Sequence, residues 1–408
     1  MTQSLHLSTP LAVAGGHPVR TKPFAPWPHL EPDQIQVVID VLRSGKLNYW
    51  TGEEGRLFEK EYAASFGSKF AVAVANGSLA LELALHALGV GSGDEVIVPS
   101  RTFIASASCV VMRGAKPIFA DIDPDSQTLT ASTVRCLISP HTRAIIAVHL
   151  AGWSCEMDSL LALADDHGLT VIEDCAQAHG ATYKGRSVGS FGNASAFSFC
   201  QDKILTTGGE GGMVLTNDEN VWKRAWSYKD HGKSYSSVYE RSHAPGFRWL
   251  HESFGTNWRL TEMQSALGRV LLRSLSEQVE IRRRNASILT TAFCRIPSLR
   301  VTCPPPDIGH SYYKYCVFVR PEKLKFGWNR DRVIEAIVAE GVFCNIGSCS
   351  EVYLEKAFPR EFRPPERLKN AKELGETCMT FLVHPTLSVE DMLDTCRAVE
   401  KVMDVASR

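Results

Sequence analysis

The twelve cysteines include no Cys-x-x-Cys pair, which argues against a zinc ribbon and a thioredoxin-type redox site, and no metal is expected. Cys109, Cys136, Cys175, Cys200 and Cys316 fall in apolar runs, where a reduced thiol acts as a small hydrophobe. The spacings suggest no disulfide framework, which fits a reducing cytoplasm. The opening residues lack a basic segment leading into an apolar one, so they do not read as a signal peptide. No uninterrupted apolar run reaches the length of a membrane span. A charge excess is missing too: 44 Lys and Arg stand against 45 Asp and Glu, a formal net charge of −1. That gives no electrostatic reason to expect nucleic acid or an anionic membrane as partner. The densest basic run, Arg282-Arg283-Arg284, is flanked by acids and reads as a solvated helix face. Internal repeats and low-complexity segments are absent.

The remaining composition, 44% hydrophobic and 22% charged, is that of an ordinary soluble protein, and 408 residues suggest two or three structural units. Residues 1–30 are rich in Pro, Gly and aromatics and read as an extended N-terminal arm. A helix is expected from Pro32, with Asp33 in its first turn, to Gly45. From 70 to 217 short β-rich runs alternate with helices. Strands are expected over 70–75, 95–99, 117–122, 144–149, 170–174, 195–199 and 213–216. The helix over 158–167 is expected to be capped by Asp158 and closed by Gly168. Apolar strands joined by helices indicate a mostly parallel sheet covered on both faces. Helical patterns follow over 259–296. The last section carries a strand over 313–319 and helices over 330–340 and 389–405, the last capped by Ser388 with Asp391 three residues on. The division expected is an arm at 1–30, a large unit at 31–285 and a smaller α+β unit at 286–408.

Four segments bear on chemistry, and each read alone has a plainer explanation. Asn76-Gly77-Ser78 ends a strand and opens an apolar helix, where free N–H groups and a hydroxyl suit a phosphate; alone it reads first as a turn with an N-cap. Asp174 closes a buried strand, where a carboxylate is costly unless it meets a cation. A protonated pyridine nitrogen is one such cation; capping of the next helix is the equal alternative. Lys203 follows Phe197-Ser198-Phe199-Cys200-Gln201-Asp202 and precedes Gly208-Gly209-Glu210-Gly211-Gly212. Just past a buried strand, a lysine can be desolvated and its amine freed for Schiff-base chemistry, although an exposed lysine is the default. No Gly-Lys-Ser/Thr follows these glycines, so a nucleotide P-loop is excluded. Finally, Gly255-Thr256-Asn257-Trp258-Arg259 could place Asn257 on a phosphate and Arg259 on an anionic substrate, where a capping loop is the first reading.

In order and spacing, these segments, with Val98-Pro99-Ser100-Arg101-Thr102-Phe103 and Glu173-Asp174-Cys175-Ala176-Gln177-Ala178-His179-Gly180, resemble the DegT/DnrJ/EryC1/StrS family of sugar aminotransferases. The resemblance runs from about Gly15 to the C-terminal helix. It implies the aspartate-aminotransferase fold (fold type I of the pyridoxal-phosphate-dependent transferases), with a mostly parallel seven-stranded sheet and a smaller α+β unit. It implies a homodimer with shared sites and pyridoxal 5′-phosphate as cofactor. Lys203 takes the position of the Schiff-base lysine, Asp174 that of the acid on the pyridine nitrogen, and Gln177 that of the residue near the phenolic oxygen. Phe103 takes the place of the stacking aromatic. Gly77, Ser78 and Ser198 match the phosphate cradle, and Asn257 the phosphate contact from the other subunit. Ser78 stands where Thr is common, and the hydroxyl is kept. Some members carry His at the lysine position and dehydrate a sugar carbon; Lys203 therefore points to amino transfer.

The implied chemistry is ping-pong transfer from L-glutamate, or glutamine, to a keto-sugar, with Lys203 as general base and acid. A nucleotide-linked keto-sugar for lipopolysaccharide or another surface polysaccharide is the first acceptor expected, from the segments Ile346–Phe358 and Phe381–Thr386. The opening Gly15-Gly16-His17-Pro18-Val19-Arg20 is instead similar to antibiotic-pathway relatives acting on keto-cyclitols. His231, Arg259 and Tyr313 are candidate substrate contacts. A non-catalytic regulatory or ligand-binding protein on the same scaffold is the remote alternative.

Overall fold

The computed structural model describes residues 10–408; the first nine residues of the expected arm lie outside the described residues. The strands in chain order are β1 (Phe70–Val74), β2 (Glu95–Pro99), β3 (Lys116–Ala120), β4 (Thr142–Val148), β5 (Thr170–Asp174), β6 (Thr182–Tyr183), β7 (Arg186–Ser187), β8 (Ala194–Ser198), β9 (Gly212–Thr216), β10 (Leu299–Arg300), β11 (Ile308–Gly309), β12 (Tyr315–Val319) and β13 (Cys378–Phe381). Seven of them form one sheet in the order β1-β9-β8-β5-β4-β2-β3. β8, β5, β4, β2 and β3 pair in parallel, and β9 runs antiparallel to β1 and β8.

Both faces of this sheet are buried, which is why its strands read as continuous apolar runs. Val72, Val74, Ile146, Ile172 and Val214 face helices Gly77–Ala87, Ala105–Met112 and Glu219–Lys229. On the other face Ala71, Ala73, Phe197, Met213 and Leu215 pack with helices Glu54–Phe66 and Glu262–Arg273, while Ile145, Ala147 and Val171 pack with Met157–His167. A second sheet, β10-β12-β13, packs its own core with helices Leu275–Phe293, Arg330–Ala339 and Val389–Ala406. Ser388 caps the last of these as the sequence suggests: its hydroxyl accepts from Asp391 N at 3.2 Å, and Asp391 Oδ2 accepts from Ser388 N at 2.8 Å. The first helix, Pro32–Ser44, ends on Gly45 at φ 69°, also as expected. Among the described residues no helix is long and apolar enough to cross a membrane.

Several expectations need correction. The helix expected from Asp158 begins at Met157, with Glu156 at its N-cap and no side-chain cap bond. Asp158 instead pairs with Lys184 Nζ at 2.6 Å. The strand expected from residue 313 starts at Tyr315, because Tyr312 turns the backbone into the left-handed region at φ 48°. The small sheet β11-β6-β7 was not visible in the sequence, since two-residue strands carry no period. Cys136 is exposed rather than part of an apolar core. The basic run is not wholly solvated either: Arg282 is 1% exposed and stacks on the Trp27 ring at 5.0 Å, and burial brings its pKa down to about 9.

The described part of the arm does not trail in solvent. Val19 N donates to Glu340 Oε2 at 3.0 Å, and Arg20 is ion-paired with Asp391 (2.7 Å) and Asp394 (2.8 Å). Further on, the Trp27 indole N–H donates to the carbonyl of Lys203 at 3.1 Å.

Candidate active site

The carboxyl ends of β1, β2, β4, β5 and β8 open into one cleft of about 850 Å³, where ligands collect in parallel sheets. Gly77, Ser78, Phe103, Asp174, Gln177, Ser198, Lys203 and Tyr313 all line it. Eight of the residues named from the sequence thus converge from five distant segments.

Asn76 caps the helix Gly77–Ala87, its Oδ1 accepting from Leu79 N at 2.9 Å. The plain capping reading is therefore correct. The N–H groups of Gly77 and Ser78 precede the helical ladder and stand at the positive end of the helix dipole. Gly77 is required there by close approach: a Cβ would fall 2.5 Å from Ser198 Cβ.

Asp174, at the end of β5, is 5% exposed. Its Oδ2 accepts from Ser106 Oγ at 2.7 Å and its Oδ1 from Ala176 N at 3.1 Å; Ser106 is joined to Thr102 Oγ1 at 2.7 Å. Burial raises its pKa, against the pull of the Ser106 hydroxyl, the Ala176 N–H and the Lys203 ammonium. This carboxylate lacks a full counter-charge and is poised to accept one. Gln177 is oriented by Ala151 N, which donates to its Oε1 at 2.8 Å. Phe103 leaves its ring 66% exposed at the cleft.

Lys203 sits on the loop after β8, its N–H bonded to Cys200 O at 3.0 Å and its Nζ 4.7 Å from the Tyr313 ring centre. The Tyr313 hydroxyl donates to Asp202, and burial raises the phenol's pKa. Sequence reasoning missed Ser106, Thr102, Asp202, Lys314 and Trp27; their polar or aromatic character alone carries no signal of the partner each meets.

Directly before Asp174, Glu173 points to the opposite face of β5 and is fully buried. Its carboxylate accepts from His149 Nε2 (3.0 Å) and from the backbone N–H of Gly189 (2.7 Å), Phe191 (2.7 Å) and Gly192 (2.8 Å). His149 Nδ1 in turn accepts from Cys155 N at 3.0 Å. With Cys175, these two side chains form a group of metal-ligand types, but the histidine and carboxylate lone pairs are already spent on protein donors. Burial would raise the Glu173 pKa, and the bonds from His149, Gly192 and Gly189 hold it below the ordinary carboxylate value. Its stabilising contribution is therefore full above the ordinary carboxylate range and lost as pH falls through the lowered value. Glu173→Ala should destabilise the protein by about 3–5 kcal/mol, since it orphans several buried donors at once; urea unfolding at neutral pH measures this, and a loss under 1 kcal/mol would contradict it.

Three named residues stand outside the chain's own cleft. Arg259 Nη1 pairs with buried Asp230 at 2.8 Å. His231 is exposed at φ 60°, and Asn257 is exposed on the same segment, joined to Asp230 by a backbone bridge.

The model of the DegT/DnrJ/EryC1/StrS aminotransferase family matches residues 28–400. An aminotransferase of known structure from Psychrobacter cryohalolentis is 53% identical with a TM-score of 0.92, covering 94% of this chain and 99% of that one. The L-glutamine:2-deoxy-scyllo-inosose aminotransferase of Streptoalloteichus tenebrarius is 38% identical over 90% of this chain and 86% of its own length. The GDP-perosamine synthase of Caulobacter vibrioides is 36% identical over 87% and 92%.

Proposed function

Because the chain belongs to the DegT/DnrJ/EryC1/StrS aminotransferase family, we propose that its cleft binds pyridoxal 5′-phosphate and aminates a nucleotide-linked keto-sugar. The fold is that of the fold type I pyridoxal-phosphate transferases, and the activity class is aminotransferase acting on a sugar or cyclitol.

The observation that carries the reading is the meeting of Lys203, Asp174 and the Gly77–Ser78 helix start in one cleft. The donor set fits the cofactor. A phosphate suits the free N–H groups and the hydroxyls of Ser78 and Ser198. Asp174, buried without a full counter-charge, suits a protonated ring nitrogen, and Phe103 offers an aromatic face. When bound, the cofactor supplies an aldehyde that carries the amino group and a ring that accepts electrons. Lys203 Nζ would hold the aldehyde and would move the proton at the substrate carbon as general base and then acid. Asp174 would hold the positive charge on the ring nitrogen, and Gln177, which lines the same cleft, would serve a ring oxygen.

His231, Asn257 and Arg259 act in this reading from a second copy of the chain, in a homodimer with shared sites. The stretch of chain from His231 to Arg259 also carries the exposed aromatics Phe247, Trp249 and Phe254, at 79%, 83% and 99%, which a solvated monomer would not favour.

A nucleotide-linked acceptor for surface polysaccharide rests on the Ile346–Phe358 segment, whose Gly347, Ser348 and Cys349 form a wall of the cleft. The keto-cyclitol reading is kept by relatives of similar identity on both sides. The opening segment, similar to the keto-cyclitol relatives, is tied down through Arg20 and Val19 on Asp391, Asp394 and Glu340 and lines no part of its own chain's cleft. We place the enzyme in the cytoplasm, where its free thiols stay reduced.

Protein purified with cofactor should be yellow, and L-glutamate or L-glutamine should bleach the visible band. A bound cofactor whose spectrum no amino donor alters would end the transaminase reading. Keto-sugar nucleotides and keto-cyclitols tried as acceptors then decide the substrate class.

A further inference from the structure

Beyond Thr102 the cleft continues towards the second sheet, where Arg101, Gln127, Asn345, Ser348 and Thr380 form its wall. Arg101 is 1% exposed. Its Nε donates to Gln127 Oε1 at 2.9 Å, while Nη1 is buried with no partner among the described residues. Other arginines with little exposure are neutralised: Arg20 by two aspartates, Arg259 by Asp230, Arg269 by two glutamates. Besides Gln127 the guanidinium meets only the Cys378 sulfur among the described residues, and leaving Nη1 without a partner costs free energy unless a ligand completes the shell. Arg282, the other buried arginine with unpartnered nitrogens, is covered by Trp27 and does not line the cleft.

The surroundings are built around this guanidinium. Gln127 holds φ 64°, a left-handed conformation uncommon for a residue with a side chain, and is 3% exposed. Thr102 N donates to Cys349 O at 3.1 Å and Val352 N to Ser100 O at 2.9 Å, clamping the covering loop onto the segment that carries Arg101. At the closest point that loop has Gly347, where a Cβ would stand 2.8 Å from Thr380 Cγ2 and 3.6 Å from Arg101 Nη2. The acidic group beside it is the Cys378 thiol, brought to about 7 by its hydrogen bond with Cys316 and, against burial, by the charges of Arg101 and Arg330. A single sulfur cannot occupy both arms of a guanidinium fork.

We propose that Arg101, oriented by Gln127, is a carboxylate-binding subsite of the cleft. The inference rests on the transaminase reading for the identity of its ligand: an amino-acid donor brings a carboxylate, and an acid group on the acceptor is the second source. The planar fork of Arg101 matches a carboxylate with two parallel bonds.

The test is calorimetric titration of the cofactor-loaded protein with glutarate, an unreactive dicarboxylate. Arg101→Met should weaken binding about 10- to 100-fold, with Arg101→Lys in between. Gln127→Glu should weaken it comparably, because it hands Arg101 an internal carboxylate while keeping the side chain's size; this variant decides the matter if Arg101→Met fails to fold. Spectral titration with L-glutamate alone identifies the source. A matching shift in apparent glutamate affinity makes the donor the ligand. An unshifted glutamate response with weaker binding of a carboxylate-bearing acceptor makes it the acceptor. Unchanged glutarate binding in the folded variants overturns the subsite. Glutarate binding that depends on Arg101, in a protein whose spectrum no amino donor alters, leaves the subsite standing and removes the transaminase reading.

Discussion

Lys203→Ala is expected to lower turnover by about 10⁴-fold or more, the upper share of positioned acid–base catalysis, with pyridoxal phosphate still bound non-covalently. The substitution removes the amine that anchors the aldehyde and the group that moves the proton. It leaves the loop in place, because the fixed points of Lys203 are main-chain: its N–H on Cys200 O and its carbonyl under the Trp27 indole. Steady-state transamination, a thermal melt and the absorption spectrum should therefore separate. Activity disappears, the melting temperature moves little, and the cofactor spectrum becomes that of the free aldehyde. Undiminished activity in a folded variant would remove Lys203 from the mechanism.

Asp174→Asn should cost about 10²–10³-fold in turnover, the scale of losing one preorganised electrostatic partner, without destabilising the cofactor-free protein. The amide oxygen can still accept from Ala176 N, and the amide NH2 can donate to Ser106 Oγ, whose own proton then turns to Thr102 Oγ1. Burial raises the Asp174 pKa, so in the cofactor-free state the folded protein retains this proton more readily than the unfolded chain. The ionised carboxylate then subtracts stability as pH rises through that value. Removing the charge lifts this penalty at neutral pH and weakens the attraction for a protonated ring. Melts with and without cofactor check both halves: a lower melting temperature without cofactor, or an undiminished cofactor-induced shift, would contradict the assignment.

Much of this site could be read from residue order because its parts lie at strand ends, where apolar runs stop and chemistry-bearing residues begin. Asp174 after Val171-Ile172, Lys203 after Phe197–Phe199, and Asn76-Gly77-Ser78 after β1 all follow that rule. Local caps were legible for the same reason: Ser388 and Asp391 meet across one helical turn. The hidden features depend on contacts between segments with no shared pattern. Glu173 meets His149 only because β4 and β5 lie side by side in parallel. The burial of Arg101 and Arg282 contradicts the ordinary habit of arginine, and only the fold shows that Gln127 and Trp27 cover them. His231, Asn257 and Arg259 lie outside the chain's own cleft, and only the proposed second copy of the chain would bring them to a site.

The strand order also sets a schedule for synthesis. β1 enters the large sheet only through β9, and the Gly77–Ser78 turn rests against Ser198 at the end of β8. A nascent chain that has made β1 and its helix has therefore completed neither the sheet nor the phosphate cradle. At about 5–20 residues per second on the ribosome, the gap between β1 and β9 lasts roughly 7–30 s. During that interval an apolar strand and the helix beside it wait without their partners. The cofactor cannot template this stage, because Lys203 and Ser198 emerge near its end. The early strand therefore stays unpaired until β9 is made, whatever cofactor is at hand.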